Sequence, residues 1–310
     1  MLFELIKELI NLPFVKYLAF FFSIILLLIL KILYDSKLRE QDKKQMKKTD
    51  KTRIGKRFYI KRKGKEDVEL NLYMRKDSNI DLPLIINIHG GAFIAGDADT
   101  LDTQSDRISR QFNSHIANVN YKLIKLFKKG VVDVEYQTEE VVDVIKYFYE
   151  NCKEYKIDIN NIFVLGYSAG GFLAMNAALK LINLGIKIKG QILCYAFIKD
   201  IINKFNKLDN NIKKNIPSAL FILADKDFIS NGSLDYEKIL RENGINTEIK
   251  KYLKSKHGFI EENNPEYEKF NFKESKSPEQ EIMARDSENF VIFYSNNYII
   301  FKLIFELKYF

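Results

Sequence analysis

Residues 161–171 read Asn161-Ile162-Phe163-Val164-Leu165-Gly166-Tyr167-Ser168-Ala169-Gly170-Gly171. The apolar run predicts a buried strand at 161–165, and the segment after it predicts a helix at 169–184. Ser168 therefore stands on a tight strand-to-helix turn, where small neighbours let the chain pack closely on both sides. It also stands at a helix N-terminus, where backbone N–H groups and the helix dipole favour developing negative charge. A Gly-x-Ser-x-Gly string is common by chance; the strand before it and the helix after it give it weight.

Outward from this turn, strand-like and helix-like segments alternate. Strands are predicted near Arg57–Lys63, at Val68–Met74, Leu84–Ile88, His115–Tyr121, Lys187–Tyr195, Ala219–Ala224 and Thr247–Leu253. Helices are predicted at 137–153 and 233–243, with a helix or cap at 198–213. Val141, Ile145, Phe148 and Cys152 recur at helical spacing, which places Cys152 in the core, and Cys194 falls on a buried strand. Such alternation implies a mostly parallel sheet with helices on both faces. No internal repeat and no boundary interrupts 57–295, so one domain is expected there.

A second motif, His89-Gly90-Gly91-Ala92-Phe93, follows the buried strand at 84–88. Acyl transfer needs donors aimed at an oxyanion, and glycines let backbone N–H groups approach a substrate. The expected donors are Gly90, Gly91 and Ala169. A serine nucleophile further needs a base histidine held by a carboxylate, in the chain order Ser, Asp, His. The chain has 3 histidines. His89 belongs to the glycine loop and His115 opens a strand, so His257, in His257-Gly258-Phe259 after the last strand, is the expected base. Asp225 and Asp227 both follow the strand Ala219–Ala224; Asp227, two residues further into the loop, is preferred as the carboxylate.

These motifs resemble the α/β-hydrolases, and within them the hormone-sensitive-lipase-like group of acetyl esterases and lipases. His89–Phe93, Gly166–Gly171, the aspartate loop and His257–Phe259 stand in that group's order. Ala95-Gly96-Asp97 and Val119-Asn120-Tyr121 resemble it too, and the likeness covers about residues 65 to 295. It implies an eight-stranded sheet and hydrolysis of short or medium acyl esters, with no cofactor and no metal. It leaves open an amidase acting on small acylated amines, or a ligand-binding relative without turnover. Three departures are visible. Ala92 stands where many members have a third glycine. Lys122-Leu123-Ile124-Lys125 replaces the usual Ala-Pro-Glu. About twenty residues separate Phe197 from Ser218, which implies a short cap.

The chain has 310 residues, 46% hydrophobic and 29% charged, which suits a sizeable core and excludes a disordered chain. Two cysteines exclude a disulfide framework and a four-cysteine zinc site. The net charge of +8 is local: residues 37–65 hold fourteen Lys/Arg and three acidic residues, which leaves the remainder at −3. A net negative body disfavours nucleic acid as a partner. Before the basic run, residues 15–34 are apolar apart from Lys16 and Lys31. They are read as a transmembrane helix, preceded by a short amphipathic segment at 1–14 and followed by a basic juxtamembrane linker at 35–56. The flanking charge then implies a single-pass membrane protein whose hydrolase domain faces the cytoplasm, with residues 37–65 against anionic headgroups. The C-terminal tail, 296–310, is apolar but too short and too charged to span.

Overall fold

The computed structural model describes residues 52–75, 78–125, 132–199, 201–262 and 286. The chain divides into two compact units, residues 1–45 and 46–310, and every described residue lies in the second.

Eight strands form one sheet in the order β1-β2-β4-β3-β5-β6-β7-β8. They are β1 (Lys56–Ile60), β2 (Val68–Tyr73), β3 (Leu82–Ile88), β4 (His115–Asn120), β5 (Ile157–Tyr167), β6 (Gly190–Cys194), β7 (Ser218–Lys226) and β8 (Thr247–Lys256). The β1–β2 and β2–β4 pairings are antiparallel, and all pairings from β4 across to β8 are parallel. The chain leaves β3 to one side for β4 and returns to its other side for β5. The crevice beyond the strand ends at such a reversal is where ligands bind in open α/β sheets, and both glycine motifs are there.

Helices α1 (Asp102–Phe112), α2 (Val134–Glu150), α3 (Cys152–Tyr155), α4 (Ala169–Asn183), α5 (Ile201–Asn206), α6 (Asn210–Lys214) and α7 (Ser230–Glu242) connect the strands, and α8 (Phe259–Glu262) follows β8. Alternate residues of the strands enter two cores. Leu84, Ile86 and Ile88 of β3 join α2 and α4 in the larger one, and Ile85 joins Ile108 and Phe112 of α1 in the other. Cys194 is buried, whereas Cys152 is half-buried on α3, beyond the end of α2. The predicted cap at 198–213 is two short helices, α5 and α6.

Helix α1 has no counterpart in the sequence reading, for a physical reason. Its buried side includes Asp102, Gln104, Ser105 and Ser109, with Ile108 and Phe112 the apolar contributions. With two apolar residues in eleven, the segment lacks the apolar stripe that marks a core-facing helix in sequence. Its polar groups bond to one another and to the sheet: Ser105 Oγ donates to Asn118 Oδ1 at 2.8 Å and accepts from Asn87 Nδ2 at 3.0 Å.

The N-terminal expectations are corrected. Among the described residues no helix is long and apolar enough to cross a membrane, so an anchor helix, a single-pass location and a headgroup-binding segment are not supported. Residues 15–34 themselves lie outside the described residues. The uninterrupted apolar run there, Tyr17 to Leu30, is 14 residues long, short of the ~20 a span needs, and reached that length only by including Lys16 and Lys31. Several cations in the described part of the basic run are paired within the protein. Arg53 and Arg57 pair with Asp99 at 2.9 and 3.1 Å, Arg62 pairs with Asp143 at 2.7 Å, and Lys61 pairs with Asp67 at 2.6 Å. Ile54 and Gly55, placed in a solvated linker by the sequence reading, donate their N–H groups to the Asp102 carboxylate at 2.9 and 3.0 Å.

Candidate active site

Strand β5 delivers Ser168 and helix α4 begins at the next residue. Ser168 has φ 51° and ψ −115°, a conformation that L residues rarely adopt. The turn is held by Ser168 N–H donating to Cys194 O at 2.9 Å and Phe197 N–H donating to Ser168 O at 3.0 Å. Its glycines are required by contact. A Cβ on Gly166 falls 2.3 Å from Gly170 O, and one on Gly170 falls 2.2 Å from Ile88 O. The strained serine is thus wedged between β3 and β6, with its Oγ at the sheet's C-terminal edge.

The loops after β7 and β8 bring two further side chains to it. Ser168 Oγ donates to His257 Nε2 at 2.9 Å, and His257 Nδ1 donates to Asp227 Oδ2 at 2.9 Å. The Asp227 carboxylate is fully buried and its other oxygen accepts from Ile229 N–H at 3.0 Å. This fixes the tautomer that leaves Nε2 free to take the serine proton. Asp225 points elsewhere: it pairs with Lys251 at 2.8 Å and accepts from Lys254 N–H at 3.3 Å, and the Lys251 ammonium holds its pKa below the ordinary carboxylate value.

The glycine loop after β3 faces the same crevice. Gly91, Ala92 and Phe93 all have positive φ, at 120°, 52° and 66°. Gly90 departs from expectation, because its N–H already donates to Glu261 Oε1 at 2.8 Å. His89 is 1% exposed, stacks on Tyr121 with ring centroids 4.2 Å apart, and is bonded through Nδ1 to Gly90 O, so it shapes the loop. Tyr121 OH donates to His89 O and Gly90 O at 3.1 and 3.3 Å. Tyr195 packs edge-on to His257 with centroids 5.1 Å apart. Burial, helped by the charge of Glu261, raises the pKa of both phenols well above the ordinary value. Tyr121, Tyr195 and Glu261 were not singled out from sequence. Tyr121 ends the Val-Asn-Tyr string, and Glu261 follows His257 by four residues, with no local pattern that ties it to the glycine loop.

Three half-buried phenylalanines cluster near the Ser168 turn, two of them donating backbone N–H groups to Ser168 O. Phe93 meets Phe172 and Phe197 at 5.7 and 6.1 Å between centroids, and Phe172 lies 6.3 Å from Phe197. Phe228, beside Asp227, is 89% exposed with its ring 6.5 Å from that of His257. Lys204 of α5 lies 5.4 Å over the Phe172 ring and donates to Asn176, and burial lowers its pKa.

Among solved structures, this architecture is similar to an esterase of Pyrobaculum calidifontis, with a TM-score of 0.63, 21% identity, and coverage of 88% of this chain and 97% of that one. The chain has the α/β-hydrolase fold. A family model described as alpha/beta hydrolase fold matches residues 85–213 of this chain. Versiconal hemiacetal acetate esterase of Dothistroma septosporum is 30% identical over 118 residues, which are 37% of this chain and 34% of that protein. Arylacetamide deacetylase of Oryctolagus cuniculus is 29% identical over 164 residues, 50% of this chain and 40% of that protein. The chain thus spans less than half the length of the curated relatives it matches. Among the described residues, no group of His, Cys, Asp or Glu side chains is placed to hold a metal ion.

Proposed function

We propose that the chain is a serine carboxylic-ester hydrolase of the hormone-sensitive-lipase-like group, with Ser168, His257 and Asp227 as its triad. The observation that carries this reading is the continuous pair of 2.9 Å hydrogen bonds from Ser168 through His257 to Asp227. Ser168 Oγ attacks the ester carbonyl while His257 Nε2 takes its proton. His257 then returns the proton to the leaving alcohol, and Asp227 holds the imidazolium. Water, deprotonated by the same histidine, releases the acid from Ser168. With the Gly90 N–H committed to Glu261, the oxyanion donors are the N–H groups of Gly91, Ala92 and Ala169. His89–Phe93 and Gly166–Gly171 support placing the chain in this group, as do relatives named acetate and acetyl esterases. Phe93, Phe172 and Phe197 form an apolar wall suited to an ester of modest size.

The test is reaction with a fluorophosphonate probe together with p-nitrophenyl acetate hydrolysis. Both are expected in the wild type and lost in Ser168→Ala; labelling that survives the substitution defeats the reading. The likeness to a protein named arylacetamide deacetylase favours one second reading, hydrolysis of small acylated amines. The matching acetanilide, assayed beside the ester, separates the two.

A further inference from the structure

Helix α8 begins two residues after His257 and its third residue, Glu261, reaches back across the crevice to the glycine loop. Its Oε1 accepts from Gly90 N–H at 2.8 Å. Its Oε2 accepts from Tyr195 OH at 3.5 Å, while its own N–H donates to that hydroxyl at 3.4 Å. The contact is tight on the loop side, where a Cβ on Gly90 falls 2.8 Å from Glu261 Oε2. Tyr121 OH grips Gly90 O from the opposite side of the same peptide chain. One carboxylate therefore joins three parts of the site: the oxyanion loop, the turn carrying His257, and the tyrosine packed on the His257 ring. These segments lie 171 and 66 residues apart in the chain.

We propose that Glu261 is a positioning residue that fastens the oxyanion loop to the His257 turn, so that the anion donors and the base keep one fixed spacing. The proposal rests on the esterase reading above. Oxyanion donors act only when aimed before the charge develops, and a loop with three successive positive-φ residues has alternative conformations to fall into. The Gly90 bond removes them. Glu261 acts through Gly90 and touches no reacting atom, so its loss falls on kcat, where transition-state alignment counts, and spares KM.

Three variants separate the bond from the charge. Glu261→Gln keeps an amide oxygen at the same reach and is expected to retain kcat within about 3-fold. Glu261→Ala removes the acceptor, and Glu261→Asp keeps the charge on a side chain one methylene too short. Both are expected to lower kcat by about 10- to 100-fold, as a misplacement near 1 Å does, with KM within about 2-fold. Melting temperatures are measured in parallel. A kcat order in which Asp exceeds Gln overturns the proposal, since charge would then matter more than the bond. An Ala variant with wild-type kcat overturns it too, as does a loss that the Gln variant shares. Fluorophosphonate labelling of the wild type and its loss in Ser168→Ala are scored in the same assay. If those hold while the Glu261 series fails, the positioning role falls and the esterase reading stands.

Discussion

The two faces of the sheet solve the burial problem in opposite ways. The face under α2 and α4 is mainly apolar: Leu70, Leu84, Ile86, Val119, Phe148 and Leu173 are buried there, with Gln137, Thr138 and Glu140 of α2 and Asn176 of α4 as polar exceptions. The face under α1 has an apolar centre but a polar flank, where Asn71, Asn87, Asn118, Asp99, Asp102, Gln104 and Ser105 are buried beside Leu101, Ile108 and Phe112. The apolar face gains from area removed from water and needs no directional partners. The polar flank persists because its groups are paired, and each pair fastens a segment that hydrophobic contact alone leaves loose. Asp99 holds Arg53 and Arg57, and Asp102 takes the N–H groups of Ile54 and Gly55 and the hydroxyl of Tyr73. Buried carboxylates thus do two kinds of work: Asp99 and Asp102 in the polar flank, and Glu140 on α2 with Lys122, attach segments, whereas Asp227 at the strand ends holds His257.

Asp227 and Asp99 put that division to its hardest test. Asp227→Asn is expected to lower kcat by about 10⁴, because the amide favours the wrong histidine tautomer, while the melting temperature changes little. Asp225→Asn, two residues away, is expected to leave kcat within about 2-fold, since its partners are Lys251 and the Lys254 N–H. Asp99→Ala is expected to do the reverse. It removes the buried carboxylate shared by two guanidinium groups whose side chains are 4% and 9% exposed, leaving Arg57 with Glu69, so about 3–5 kcal/mol of stability is lost, while kcat per folded molecule holds. Urea unfolding and active-site titration of each variant read both quantities. An Asp99→Ala protein that is stable but slow would erase the distinction between the two regions.

Substitutions confined to the two faces sharpen the comparison at smaller scale. Phe148 on α2 is fully buried against Tyr147 and Tyr155, and Phe148→Ala is expected to cost about 3–5 kcal/mol through lost contact and a residual cavity. Ser105→Ala removes few atoms, yet it leaves Asn118 Oδ1 and Asn87 Nδ2 each without a bond, at about 1–3 kcal/mol. Denaturant midpoints order the pair. A costlier Ser105→Ala would mean that the polar flank, and not the apolar core, sets the stability of the domain.

The same contrast explains which parts were legible in the sequence. Strands β3, β5 and β7 are runs of apolar residues, and α2 has a helical period, so both sheet and apolar face could be read directly. Ser168 and His257 were legible because glycine-flanked turns and a chain with 3 histidines leave few choices. Helix α1 was missed because its buried face is mostly Asp, Gln and Ser, with Ile108 and Phe112 its two apolar residues. Glu261 was missed for a related reason. A carboxylate in a polar string looks solvated until the fold brings it to a backbone N–H 171 residues away. The basic run misled because pairing partners such as Asp99 and Asp143 are distant in sequence, so cations read as a collar for headgroups are, in part, ties within the domain.

The smallest expected effect comes from His115, at the start of β4. The ring is 1% exposed, its Nδ1 accepts from Arg75 N–H at 3.1 Å and its Nε2 donates to Lys156 O at 3.2 Å. Burial, seconded by the Arg75 charge, lowers its pKa below the ordinary 6.5. A second ring proton would also have to displace the Arg75 N–H from Nδ1. Below pH 6.5 the unfolded chain therefore binds a proton that the folded one refuses, so this contribution to stability is full above 6.5 and is lost as pH falls toward the folded value. Asp97 and Glu140 act with the opposite sign. Burial raises both carboxyls above their ordinary 3.8 and 4.5, so the folded state holds their protons longer and stability falls with rising pH through that lower window. Urea midpoints measured between about pH 6 and 7 isolate the histidine. The wild-type midpoint is expected to rise with pH there, and His115→Gln is expected to flatten the rise. An unchanged slope in the variant would assign the pH dependence to another group and leave His115 with a purely geometric part in joining β4 to the segments at Arg75 and Lys156.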